Sequence, residues 1–543
     1  MLNISLLKPK LHTFKRAYPI YHLQDVRFIP STELVRKERI KYKPELILVN
    51  FLVLLSIAYL FLPIIIFING YLRKELAFLV DLLIFLSALH LFLKYNMQAQ
   101  CGKYARKLFR TVKVNWPSLL VAAIITFIWL IFSSIGGVGS LNFDSGIRSS
   151  LLWHLTFDNW PVWFSPAYMG ESFGYDADKP YVYYFAYYLP AALAGKLLGW
   201  KVANLTLFAY SYCGTLLALL LVICNKRLNV FNTIIMLAVI SLFGGFDFVV
   251  NFIFDLTRDK SETWLTPFFY FSNTRNLFWA PQHCIPTWIM IGILLNRDNF
   301  HPALNELFPL SIAAFILWSP LCLIGLLPFL IPHFIKQIKT YSSLSIINFC
   351  TLIVAIILTT FILSNDFKFP IHFSIDVLKN YWEVYFYLIC VEVIFILPIL
   401  LHHFKNLDQI EKHFIVTALF SLILIPFIIL GTWNDWAIKV SMPSLLIISI
   451  FAGRQFISIV KQKSRKFYIS VLLLGLSSLT AFEEIVHSAR NYQISFDQPP
   501  QIRDFGPGYI VSQQLGKSDS HFFKYLAKRS DQTFYNFPSP QLN

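Results

Sequence analysis

Four groups of polar residues break an otherwise apolar chain, and each combines side chains able to move a proton or hold an anion. The first is Asp144, in Ser140-Leu141-Asn142-Phe143-Asp144-Ser145-Gly146-Ile147-Arg148, immediately after Gly136-Gly137-Val138-Gly139. A carboxylate there can accept a proton from an alcohol or amine. It can equally cap the helix that starts at this point and pair with Arg148 one turn on. The second group runs Asp158-Asn159-Trp160-Pro161 and continues to Glu171 and the D-x-D pair Asp176 and Asp178. Clustered carboxylates suit a divalent cation, although two acids two residues apart are also common in loops.

The third group is Arg275-Asn276 with Pro281-Gln282-His283. Arg275 has the fork that grips a phosphate, His283 can donate to that phosphate or carry a proton, and Gln282 adds an amide for substrate. A hydrogen-bonded core histidine and a headgroup-anchoring arginine are the plainer readings. The fourth group, Gly431-Thr432-Trp433-Asn434-Asp435-Trp436-Ala437-Ile438-Lys439, sets Lys439 four residues after Asp435. That spacing either makes an intrahelical ion pair or gives Lys439 to a phosphate and Asn434 and Asp435 to substrate hydroxyls.

Membrane helices must position these residues. Of 543 residues, 56% are hydrophobic and 14% charged, against roughly 25% charged in a soluble domain. The net charge of +16 comes from short basic clusters between long apolar runs. That pattern is membrane topology, and no nucleic-acid partner is expected. The 53 Phe, 26 Tyr and 13 Trp suit the interfacial belts of a helical bundle, whereas a transmembrane barrel needs short alternating strands. The seven cysteines stand singly, mostly in apolar runs, and read as small buried hydrophobes.

Long apolar runs lie at 46–69, 76–93, 117–136, 202–224, 345–364, 385–403 and 414–430, with shorter or broken ones at 229–246, 284–295, 308–318, 321–335, 441–452 and 467–481. The expected fold is an all-α polytopic membrane protein of about 11–13 transmembrane helices, with a large first outer loop carrying amphipathic helices. Residues 1–45 hold ten Lys and Arg, and 94–116 hold six with no acid, which places both inside. The N-terminus is then cytoplasmic, an odd number of spans puts the tail outside, and only Arg73 and Lys74 fall in an outer turn against the rule.

All four polar groups consequently fall on outer segments, near 137–200, 247–283, 365–384 and 431–440. Ile147, Leu151, Leu152 and Leu155 recur at helical spacing, so a helix lying flat on the membrane is expected behind Asp144. The chain divides into a basic segment 1–45, a hairpin and basic loop 46–116, a core 117–481 and an outer tail 482–543. The first apolar run is too long and too late for a cleavable signal and reads as a retained anchor.

An acid just after a span, the Trp160-Pro161 turn, Lys179-Pro180-Tyr181-Val182-Tyr183-Tyr184-Phe185 and an ending in Leu197-Leu198-Gly199 together resemble the GT-C superfamily of polyprenyl-phosphate-sugar glycosyltransferases. Protein O-mannosyltransferases, bacterial aminoarabinose transferases and YYY-type bacterial membrane proteins share this layout. The likeness covers the order of parts over 117–227, with Pro180-Tyr181-Val182 where those families often carry two prolines and leucine. It implies that Asp144 is the general base and Asp158 a second acid that binds acceptor or a divalent metal, with Glu171 a weaker candidate. It further implies a polyprenyl-phosphate sugar as donor, membrane lipid as surroundings, and an envelope glycan, lipid or protein as acceptor. A chain heavy in Lys, Ile, Phe and Asn suggests a bacterium, hence the inner membrane and a periplasmic active face.

Other classes lose their anchors. Gly516-Lys517-Ser518 has Val511 where a phosphate-binding loop needs glycine, and neither H-E-x-x-H nor G-x-S-x-G occurs. A transporter or flippase of lipid-linked sugars stays open through Asp81, Asp247 and Glu392, although no internal repeat supports it. A surface-polysaccharide polymerase or ligase stays open too.

Overall fold

The computed structural model describes residues 44–528 except 101–114, 167–175, 227, 255–260, 264–265, 298–301, 339–344, 368–369, 374, 403, 432, 463–464 and 501–512. Glu171 lies outside the described residues. Pro44 onward forms a single compact unit, and it is an all-α polytopic membrane protein.

Each of the thirteen expected apolar runs contains a helix, although 414–430 ends in the strand Ile428–Leu430 and the helix in 117–136 stops at Leu130. By length and composition, seven helices among the described residues can cross a membrane unaided, or eight if the bent pair Val230–Leu242 and Asp247–Phe254 counts as one. The shortfall from 11–13 comes from helices such as Pro281–Leu295 and Phe308–Trp318, at 15 and 11 residues, short of the roughly 20 that a hydrocarbon core demands. Such pieces are sheltered by neighbours, and they are the ones that bracket the polar cluster described below.

Burial separates central from peripheral helices. Asp435–Val460 is 78% buried, whereas Lys74–Lys94 is 17% buried and turns Phe78, Phe85 and Phe92 outward at seven-residue spacing, a lipid-facing ridge. The hairpin at 46–93 is not separate from the core: Tyr59 stacks on Tyr210 at 4.1 Å, and Trp318 Nε1 donates to the Leu60 carbonyl at 2.9 Å.

Short strands and bridges gather the expected outer segments at one end. Val138 and Gly139 pair with Ile494 and Gln493, Trp163 and Phe164 with Pro180 and Lys179, and 371–373 with 428–430. The tail returns over the same end, bridging Leu515 to Tyr181, Gly516 to Asn365 and Ala527 to Leu72. Arg73, the exception to the charge rule, donates to the carbonyls of Lys524 and Ala527 at 2.8 and 3.2 Å. A basic residue in this turn therefore has a structural role, since it ties down the tail. The last helix runs to Arg490 rather than stopping near 481, so the appendage begins later than the sequence suggests.

Two expectations about the first outer loop change. The helix Phe143–Phe157 is capped by Asn142, whose side chain accepts from the Ser145 amide at 2.8 Å, so Asp144 is not the cap. Its apolar stripe does not face lipid, because Leu151, Leu152 and Leu155 are fully buried in the protein core. The turn before it is held tight by Gly137 and Gly139, at φ +80° and +106°, where a Cβ would stand 2.7 Å from Phe496 N and 2.8 Å from Ser134 N.

Candidate functional site

The amino end of the Phe143–Phe157 helix is where the sequence-expected residues meet. Asp144 has Arg148, Asp435, Lys439 and Arg275 as its charged neighbours, drawn from three segments far apart in the chain. Burial pushes its carboxyl up from the usual carboxylate value, and the three cations only partly oppose this. Asp144 lies outside the membrane-crossing helices, at the mouth of the bundle.

Arg148, buried at 8% exposure, donates to the Phe278 carbonyl at 3.0 Å and to Ser134 Oγ at 3.2 Å. These bonds fix the guanidinium to the neighbouring wall and leave Asp144 without a neutralising fork of its own. Lys439 does form the expected ion pair with Asp435, at 2.9 Å, and it also faces the phenols of Tyr183 and Tyr184. Pairing and site membership are therefore compatible. Burial pushes both phenols up, so both stay protonated and can donate.

Arg275 is sandwiched between Phe271 and Trp279, whose ring centres lie 4.7 and 4.8 Å from its guanidinium carbon. Its nearest ionic partner is Glu484, at 4.0 Å, and Glu484 also accepts from Trp279 Nε1 at 2.7 Å. Glu262, also near Arg275 and pushed up to about 8 by burial, accepts from Ser272 at the start of the Arg275 helix. Arg275 Nε has no hydrogen-bond partner among the described residues.

His283 bonds through Nδ1 to Ser319 Oγ at 2.8 Å and meets Tyr184 edge-on at 5.6 Å. Its Nε2 is buried and unpartnered among the described residues, as is Gln282 Oε1. Ser319 stands at the break Trp318-Ser319-Pro320 between two short helices, so that interruption supplies the group that orients the imidazole. Buried polar atoms without partners cost about 1–3 kcal/mol each. Arg275 Nε, near Asp144, and His283 Nε2, near Lys439, are two such atoms within the cluster.

Other expected residues go elsewhere. Asn434 is fully buried at φ +50°. Its side chain accepts from the amides of Leu430 and Ala437 and donates to the Pro267 carbonyl, so it is committed to holding the turn before Lys439. Asp158 sits about 20 Å down the helix from Asp144, by helical rise. There it pairs with His154 at 2.7 Å, while Lys196 bonds its carbonyl. Asp176 is exposed and Asp178 half-buried, and among the described residues no group of three or more His, Cys, Asp or Glu could hold a metal.

Sequence reasoning quoted Tyr183 and Tyr184 without giving them a role, and it missed Glu484 altogether. The tyrosines were visible only as an aromatic run. Glu484 carried no local signal, being one of two acids near the end of the last helix. No protein-family model, curated protein or solved structure matches this chain.

Proposed function

We propose that the protein is an inverting membrane glycosyltransferase that moves a sugar from a polyprenyl phosphate to a cell-envelope acceptor, working at the bacterial inner membrane with its N-terminus cytoplasmic and its C-terminus periplasmic. The observation that carries this reading is one half-buried carboxylate, Asp144, set among Arg148, Lys439 and Arg275 at the mouth of the bundle. A base with cations beside it at headgroup depth is what phosphate departure from a lipid requires.

In the reaction, the acceptor oxygen or nitrogen attacks the anomeric carbon and its proton passes to Asp144. The bond from that carbon to the phosphate oxygen breaks with its electron pair, which remains on the lipid phosphate, and configuration at the carbon inverts. Lys439 and Arg275 meet the developing phosphate charge, His283 presents Nε2, and the Tyr183 and Tyr184 hydroxyls donate. A divalent metal is not required for any of these steps.

The test is incubation of purified protein with radiolabelled polyprenyl-phosphate sugars, comparing wild type with Asp144→Asn. Lipid phosphate released by wild type alone supports the transferase. Equal release by the variant removes Asp144 as base.

A second reading, transport of lipid-linked sugars, draws on one observation. Val230–Leu242 and Asp247–Phe254 form a helix broken by 50°, and buried Asp247 hydrogen-bonds Glu392 beside the break. Broken helices with buried acids recur at ion-coupled sites. Against it, the exposed amides and carbonyls of the break are already met by Ser477 and Thr480, and Asp81 is occupied by Asn69 at 3.0 Å.

A further inference from the structure

Two cations of the cluster are bonded to neighbours. Arg148 donates two hydrogen bonds, and Lys439 pairs with Asp435 at 2.9 Å. Arg275 differs. Its side chain is only 7% exposed, its Nε has no partner among the described residues, and Glu484 Oε2 stands 4.0 Å from its Nη1, beyond hydrogen-bond reach.

Two acids hold this arginine, each through an intermediary. Glu262 accepts from the amide and hydroxyl of Ser272 at 2.9 and 2.7 Å, and Ser272 Oγ accepts from the Arg275 amide at 3.2 Å. That chain fixes the backbone. Glu484, from the last helix, accepts from Trp279 Nε1 at 2.7 Å. The Trp279 ring lies 4.8 Å from the guanidinium carbon, with the Phe271 ring at 4.7 Å. Trp279 is half-buried at the last residue of its helix, so its bond to Glu484 is what anchors the ring against the arginine. Aromatic faces attract a guanidinium without saturating its N–H donors.

We infer that Glu484 is a positioning residue: through Trp279 it holds Arg275 with its N–H groups available to a phosphate, the anion that an arginine fork fits. The identity of that phosphate as the donor's rests on the transferase reading, but the positioning is visible in binding alone. A carboxylate 4.0 Å from the guanidinium also repels an incoming anion. A Glu484 that acted only as a counter-charge would therefore weaken phosphate binding, and any neutral replacement would tighten it. A Glu484 that acts through Trp279 separates its replacements, because Gln keeps an oxygen for the indole N–H and Ala does not.

The experiment is calorimetric binding of farnesyl phosphate to the full chain in detergent, with inorganic phosphate as a parallel probe. Wild type is expected to bind farnesyl phosphate, and Glu484→Gln to bind it at least as tightly. Glu484→Ala and Trp279→Phe should each bind it about tenfold more weakly, the loss typical of a hydrogen bond to a charged group. The double variant should be no weaker than either alone, since both cut one link. The same order with inorganic phosphate makes the phosphate group the whole ligand; binding of farnesyl phosphate alone makes it a lipid, and both support the positioning. Should Glu484→Ala fail to fold, Glu484→Gln against Trp279→Phe carries the same contrast. Equal affinities in Glu484→Ala and wild type, Glu484→Gln as weak as Trp279→Phe, or no binding of either probe by wild type overturns the inference. The expected order without lipid-phosphate release would sink the transferase and leave the positioning standing; release without that order does the reverse.

Discussion

The Phe143–Phe157 helix carries an acid near each end, and the protein treats the two differently. Asp158 has a partner on its own helix, His154 one turn back at 2.7 Å, with Lys196 bonded to its carbonyl and burial lowering that lysine to about 8. Asp144 has Arg148 on its own helix and Asp435, Lys439 and Arg275 from other elements, and His283 Nε2 and Arg275 Nε remain unpartnered among the described residues, as does Asp158 Oδ1 at the other end. The Asp158 end is held by a pair within its own helix and by Lys196. The Asp144 end is assembled from 144, 275, 283 and 439, segments far apart in the chain.

The largest expected effect separates the two acids directly. Asp144→Asn should lower transfer by at least about a hundredfold, the usual worth of a general base, with folding unharmed. Asp158→Asn should leave transfer per folded molecule within a few-fold but cost about 1–3 kcal/mol of stability, because it weakens a buried charged hydrogen bond. Initial rates and thermal unfolding on both variants check this; the opposite pattern would exchange their roles.

Next come the cations. Lys439→Ala and Arg275→Ala should each reduce kcat by about a hundredfold or more if they meet the departing phosphate. Lys196→Ala, at the Asp158 end, should change kcat little.

A subtler effect sharpens the view of Asp144 as a working base. Its carboxyl is raised in the folded protein, so the folded state binds that proton more tightly than the unfolded chain. Stability from this group is therefore lost as pH rises from the unfolded value of about 4 through the raised folded value. Activity, which needs the ionised form, should rise over the same window, displaced above the ordinary carboxylate range. Lys439→Gln should push that rising limb further up, because one of the cations that lower Asp144 is gone. A kcat/KM profile across pH 4 to 8 measures it, and an unmoved limb would detach Lys439 from the base.

The smallest effect concerns the turn that delivers Lys439. Asn434→Ala should cost about 1 kcal/mol by removing the helix cap, seen as a lower thermal midpoint, while the sugar specificity of the surviving activity stays unchanged.

The fold class was legible because every long apolar run must be a helix in a bilayer, where unpaired backbone groups are too costly to leave. Candidate residues were legible for a related reason: Arg275, His283 and Lys439 are too polar to sit near lipid without purpose. The alternatives left open at Asp144 and Lys439 were not legible, since an i,i+4 pair and a catalytic pair share the same spacing. Tertiary structure decided them, passing the capping role to Asn142 and binding Arg148 to Phe278 and Ser134. It also spent Asn434 on backbone groups and brought Glu484 from the far end of the chain to Arg275.

By itself, then, the sequence determined an all-helical membrane bundle and which segments share one end of it, because hydropathy and charge act locally along the chain. What stands beside each acid depended on side chains hundreds of residues apart, whose meeting is set by helix packing and by the strands that tie 138–139 to 493–494.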